Sequence, residues 1–265
     1  MQSKLSFSLL AGSAARFIQV TGFTQLTRNL TILVDMQNHC LRSVNPQTGQ
    51  TAPYAGRCRK TGLADGQMIG EALFNHPNSI ASYKGAIYVT DYANHALRKL
   101  VAGRVSTVIQ SLAVFPYPRG LTFNEHDSAY ITSVWHGLLH LDLRSDSVTK
   151  LTNGPGPVGS LSATELSQPS EITFLSPSVL LITVRDQLLL VNIKKNAITQ
   201  ICGGMQETRD GDIRSCQLDR PNSILVVNQS VYVGQNGAIR RIPLEAFNKF
   251  MQPWESTTAI SGRSS

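Results

Sequence analysis

Apolar and polar positions alternate over short stretches along most of the chain. NSIASYKG (78–85), AIYVTDYA (86–93), HALRKLVA (95–102) and VSTVIQS (105–111) are rich in Val, Ile, Tyr and Thr, and Gly, Asn or Asp separates each from the next. A period of two in runs this short predicts twisted, half-buried β-strands joined by tight turns. Long helical stretches rich in Glu, Lys and Ala are missing.

The strands come in repeats. LVDMQNHCLRSV (33–44) and VTDYANHALRKL (89–100) superpose at one offset, which aligns Asp35 with Asp91, Asn38 with Asn94, His39 with His95, Leu41 with Leu97 and Arg42 with Arg98. The tetrapeptide Pro77-Asn78-Ser79-Ile80 returns as Pro221-Asn222-Ser223-Ile224, and weaker copies start at Pro118 and Pro169. Successive starts lie 41, 51 and 52 residues apart. A period near 50 built from short strands predicts an all-β propeller of about five four-stranded blades, with an incomplete six-bladed ring as the alternative.

The last unit offers three strands, NSILVVNQ, SVYVGQNG and AIRRIPL. The N-terminal LSFSLLAG reads as the missing fourth, which would close the ring and leave no bare sheet edge. Residues 1–248 then form the propeller, and 249–265 read as a C-terminal tail without packed structure. The same N-terminal residues suit a repeat strand better than a signal peptide.

Having these residues in view, the chain resembles the NHL-repeat family. A Pro opening the first strand, an apolar strand ending in Val-x-Asp and then Asn-His-x-Leu-Arg are met by Pro77, Asp91, Asn94, His95, Leu97 and Arg98. The connector GLADGQMIGEALFNHPNSI also resembles the family's Gly-Asp-Gly and Ala-x-Phe approach to the next blade. The third and fourth units depart from it, with Ser133 in the Asp position and no Asn-His after Trp135 or Asp186. The resemblance implies a propeller, and the family spans extracellular propellers, cytoplasmic RNA-binding domains and a metal-using lyase, so it does not choose a function.

The four Cys fall into two sequence-local pairs, Cys40 with Cys58 and Cys202 with Cys216. This pairing is favoured among three, because each bridge spans one connector and neither crosses the ring. No Cys-x-x-Cys spacing supports zinc. Two sequons, at Asn29 and Asn228, fall at turns between a first and a second strand. Together these point to the secretory route, either as an extracellular protein or as the ectodomain of a larger one, with a cytoplasmic protein as the alternative. No apolar run is long enough to span a bilayer as a helix.

The net charge of +7 favours anionic partners. The basic residues look scattered, however, which argues against a nucleic-acid arm.

Asp35, Asp91, His39, His95, Arg42, Arg98 and Arg240 recur and read as scaffold. Candidate functional residues break the repeat. Tyr92, Trp135 with His136, Arg185 with Asp186, and Gln235 with Asn236 lie between second and third strands, and equivalent turns share one face suited to recognition. Glu171 stands where Gly22, Ser79, Gly120 and Ser223 are small, as a lone carboxylate towards the expected channel. No metal or cofactor is expected, and no catalytic residue is assigned.

The favoured reading is an extracellular, non-catalytic NHL propeller binding a protein or glycan through one face. An RNA-binding propeller and a metal-dependent lyase or lactonase are the alternatives. Oligomeric state is not legible.

Overall fold

The computed structural model describes residues 17–152, 161, 165–203, 216–236 and 238–255. The fold is all-β apart from short helical turns and one helix. Among the described residues five antiparallel sheets follow one another along the chain, each running up and down in sequence order apart from one two-residue edge strand.

Contacts divide the chain into two compact units, residues 1–111 and 112–265. The first unit holds two sheets. One consists of β1 (Val20–Thr27), β2 (Leu30–Asp35), β3 (Cys40–Val44) and β4 (Thr51–Ala55). The other holds β6 (Pro77–Tyr83), β7 (Ala86–Asp91), β8 (Ala96–Val101) and β9 (Arg104–Gln110), and the two-residue β5 (Gly66–Gln67) is added at the edge of β9.

The second unit holds three sheets. These are β10 (Pro118–Phe123) to β13 (Ser147–Lys150), with β11 (Ser128–Ser133) and β12 (Gly137–Asp142) between; β14 (Pro169–Ser176), β15 (Val179–Val184), β16 (Gln187–Asn192) and β17 (Ala197–Gly203); and β18 (Ser223–Val227), β19 (Ser230–Gln235) and β20 (Ala238–Pro243). The last sheet has three strands among the described residues, as its sequence predicts. Residues 1–12, expected to supply its fourth strand, lie outside the described residues.

Turn chemistry explains the hairpins. Lys84-Gly85, Ala102-Gly103 and Asn228-Gln229 each place two consecutive residues at positive φ, the type I′ geometry whose twist matches that of the flanking strands. Three of the first strands, β6, β10 and β14, also bulge just after an opening proline, between Pro77 and Ile80, Pro118 and Leu121, and Pro169 and Ile172. A threonine on the neighbouring strand fills the gap left in the ladder. The hydroxyls of Thr90, Thr132 and Thr183 accept from the backbone N–H of Ser79, Gly120 and Glu171 at 2.8, 2.7 and 3.0 Å.

Sheets stack on one another through these bulged strands. Thr132 Oγ1 donates to Ser170 O at 2.6 Å, and Thr21 Oγ1 donates to Asn78 O at 2.6 Å. Gly120 is required here, since a Cβ would lie 2.6 Å from Ser170 O. The central strands are buried on both faces, which is why β15 reads as VLLITV, apolar apart from Thr183. Leu180 and Ile182 join one core with Tyr130, Leu138 and Leu189, whereas Val179 and Leu181 join another with Val231, Val233 and Phe247. In the first unit Ile32, Val34 and Leu41 meet Ile80, Ile87 and Val89 in the same way.

The tail expected to lack structure from residue 249 is corrected in part. A helix, α1 (Asn248–Glu255), follows a short 3-10 turn. Phe250, Met251 and Trp254 join the core that Phe247 enters, a spacing that gives the helix one apolar face.

Candidate functional site

The recurring polar residues form the frame that carries the turns between second and third strands. Arg98 is 0% exposed. Its Nη1 donates to Asp91 Oδ2 and Leu73 O, each at 2.9 Å, and its Nη2 donates to Ala64 O and Asp65 Oδ1, each at 2.8 Å. Asp65 in turn accepts from the Thr107 N–H and hydroxyl at 3.1 and 2.8 Å. The Ala-Asp-Gly connector is thereby fastened to its own blade. Asp91 also accepts from the Asn75 N–H at 2.8 Å and the Asn94 amide at 2.9 Å. Burial pushes its carboxyl up to about 6, against the pull of these donors and Arg98. Asp35 repeats the scheme with Ile18 and Asn38, with Arg42 3.8 Å away.

His39 and His95 end the turns in the left-handed conformation, at φ 56 and 53°. His39 Nδ1 accepts from the His76 N–H at 3.1 Å, and the two rings meet edge-on at 4.4 Å. Burial and the neighbouring His76 lower the His39 pKa. A lowered imidazole pKa contributes stability that is present above the unfolded value near 6.5 and lost as pH falls through the folded value. His39→Asn keeps an acceptor and tolerates positive φ without titrating. The stability difference between wild type and this variant, followed by thermal melts, should therefore shift against wild type between pH 7.5 and 5. A pH-independent difference would exclude His39 from the acid response.

The repeat-breaking candidates occupy the turns at the same end of their sheets. Tyr92 opens the 3-10 turn Tyr92–Asn94 in the first unit. In the second unit Trp135 is 57% exposed and meets the Tyr117 ring edge-on at 4.9 Å. His136 Nε2 lies 3.0 Å from Ala113 O, and its N–H donates to Ser133 Oγ at 3.2 Å. Arg185 is exposed at φ 51°, and Asp186 Oδ1 accepts from the Arg220 N–H at 3.3 Å. Asn236 donates to Asp219 Oδ2 at 2.9 Å.

Gln235 departs from the surface expected for it. It is 7% exposed, in the position of Asp35 and Asp91, and its amide atoms have no partner among the described residues. Glu171 is half-buried, accepts from the Ile172 N–H at 3.0 Å and lies against Gly120. Among the described residues no three His, Cys, Asp or Glu come together as a metal site. The sequons at Asn29 and Asn228 are exposed at hairpin turns.

Both predicted disulfides are present, Cys40–Cys58 with Cα atoms 5.0 Å apart and Cys202–Cys216 with Cα atoms 5.3 Å apart. Two features escaped the reading of the sequence. One is a cavity of about 600 Å³ between the third and fourth sheets, walled by Phe123, Tyr130, His140, Phe174 and Lys194. Its walls come from separate repeats, so no local motif announces it. The other is the exposed run Arg57, Arg59 and Lys60, visible in sequence as three cations in four residues.

No family model and no curated protein matches the chain. Solved structures do. A nidogen/laminin complex aligns over 85% of this chain and 76% of that one, at 11% identity and a TM-score of 0.60. The extracellular domain of a putative hybrid two-component system from B. thetaiotaomicron aligns over 93% of this chain and 29% of its own, at 15% identity and a TM-score of 0.57. A catalytically inactive virginiamycin B lyase from Staphylococcus aureus with quinupristin aligns over 82% and 62%, at 14% identity and a TM-score of 0.54.

The fold is that of a β-propeller. At such identities the likeness shows the fold alone, and it extends to a protein complex and an enzyme alike. The chain spans under two thirds of the length of two of these three structures. No helix among the described residues is long and apolar enough to cross a membrane.

Proposed function

We propose that this chain is an extracellular NHL-type propeller, a non-catalytic module that binds a protein or glycan through the face carrying the turns between second and third strands. The observation that carries the reading is the pair of disulfides, each clipping a connector to a sheet, as expected in an oxidising compartment. The face itself offers the exposed Trp135, packed on a half-buried Tyr117, and the exposed Arg185 at the corresponding turn of the next sheet in the same unit. Aromatic and Arg side chains of this kind dominate binding energy at interfaces.

Trp135→Ala and Arg185→Ala remove side chains that reach solvent, so each should leave the melting temperature within about 2 °C of wild type. Each should also weaken capture of a cell-surface or matrix partner by roughly ten-fold or more. Retained capture with unchanged stability would remove this face from recognition, and loss of stability would mark both residues as scaffold.

A further inference from the structure

The charge of the chain is divided unevenly. Residues 1–111 hold 11 Lys and Arg against four Asp and Glu, an excess of seven, while residues 112–265 hold 13 of each. The entire net charge therefore belongs to the first unit.

All four carboxylates of that unit are already engaged. Asp35 and Asp91 are buried, Asp65 is held by Arg98 and Thr107, and Glu71 accepts from the Gln67 N–H at 2.7 Å. None is left to neutralise the exposed run Arg57-Cys58-Arg59-Lys60.

The run is also fixed in place. Cys58 is bonded to Cys40, the Arg59 N–H donates to Asn38 O at 2.7 Å, and the Lys60 N–H donates to Arg57 O at 3.0 Å. Arg59 is turned to φ 68°. Two residues further on, Gly62 O accepts from the Asn94 amide at 2.8 Å. The cationic turn is thus moored to the second-to-third-strand turns of both sheets, Met36–Asn38 and Tyr92–Asn94, and lies at the end of the first unit that carries Tyr92.

We infer that the turn Arg57–Lys60 is a binding site for a sulfated glycan chain, with Arg57, Arg59 and Lys60 each contacting a sulfate or carboxylate group. The proposal rests on the reading of this face as an extracellular recognition surface and supplies its ligand class. Guanidinium groups hold oxyanions through paired hydrogen bonds. A backbone locked by a disulfide before binding loses little entropy on binding. A regular polyanion also matches three cations spaced along one turn better than a globular acidic patch does. The disulfide that orders the turn needs an oxidising compartment, where sulfated glycans rather than nucleic acids are the abundant linear polyanions.

The test measures affinity for a heparin decasaccharide by calorimetry at about 0.15 M salt, where the Debye length is about 8 Å. The variant Arg57→Gln/Arg59→Asn/Lys60→Gln is compared with Arg28→Gln/Lys84→Gln/Arg104→Gln. The control cations are exposed in or next to the hairpin turns at the opposite end of the same sheets, and both triples remove the same charge. The first triple should weaken binding at least about ten-fold and reduce the salt slope by roughly two to three, while the second changes affinity less than about three-fold.

Equal losses in both triples would overturn the site, as would no binding by wild type. Tighter binding to single-stranded RNA or to phosphatidylserine vesicles would overturn the ligand class. If heparin fails but Trp135 and Arg185 still govern capture of a protein partner, only this inference falls. Four free thiols in a non-reducing peptide map would remove the extracellular reading as well.

Discussion

Arg98→Ala is expected to lower the stability of the first unit by about 3–5 kcal/mol, the usual cost of removing one partner from a buried ion pair. Five groups converge on that guanidinium. The carboxylates of Asp91 and Asp65 and the carbonyls of Leu73 and Ala64 accept its hydrogens, and the Phe74 ring lies 5.1 Å below it. Truncation leaves Asp91 with its charge buried and unneutralised, and leaves two carbonyls short of donors. Burial already pushes the Asp91 carboxyl up to about 6, so in the variant it should rise further and hold a proton nearer neutrality.

A raised carboxyl pKa contributes stability that is present below the unfolded value and lost as pH rises through the folded one. The Arg98→Ala deficit should accordingly shrink when unfolding is measured at pH 5 instead of 7.5. Asp91→Asn should recover part of it, since an amide accepts from Asn75 without a charge to bury. A loss under about 1 kcal/mol would mean that desolvation of the pair offsets its attraction, and that the recurring Asp and Arg specify the turn more than they stabilise it.

What the chain reveals before folding divides along the same line between local and distant contacts. Strand periodicity, the returning Pro-Asn-Ser-Ile and the paired Cys are short-range signals, and the sheets and disulfides followed them. The hold of Arg98 on Asp65 joins residues 33 apart, so the connector announced itself only through a family likeness and not through its contact. Thr90, Thr132 and Thr183 look like ordinary strand threonines until the bulge opposite each one is seen. Gln235 breaks the repeat, and on sequence alone that points to the surface. In fact the position it occupies is buried in every sheet, whether it holds Asp, Ser, Val or Gln. The helix α1 is not legible in the sequence because it follows the end of the repeat, where Phe247, Phe250, Met251 and Trp254 have no evident partner until the fold brings them to one core. The Arg57 to Lys60 run is diluted by an average over the whole chain, and that the four acids of the first unit are engaged elsewhere is visible only once the fold places them.

Cys40→Ser/Cys58→Ser is expected to cost about 3 kcal/mol through the freed loop entropy of the unfolded chain, and Cys202→Ser/Cys216→Ser a similar amount, since the separations of 18 and 14 residues are alike. The two losses should differ in what they expose. Cys40 is fully buried in β3 whereas Cys58 is exposed, so the first bridge ties a surface turn to the core of its sheet. Without it, the turn is held to its sheets by hydrogen bonds such as Arg59 N–H to Asn38 O and, two residues on, the Asn94 amide to Gly62 O, each worth about 1 kcal/mol. Local opening then becomes cheaper than unfolding of the sheet, and trypsin should cut after Arg57, Arg59 or Lys60 while β1 to β4 stay protected from hydrogen exchange. The same variant should lose affinity for heparin although every cation is retained, because the ordering that the disulfide supplies before binding must now be paid on binding. Cleavage spread evenly through the first unit would instead show that the bridge stabilises the whole sheet, and unchanged heparin affinity would separate the charge of the turn from its conformation.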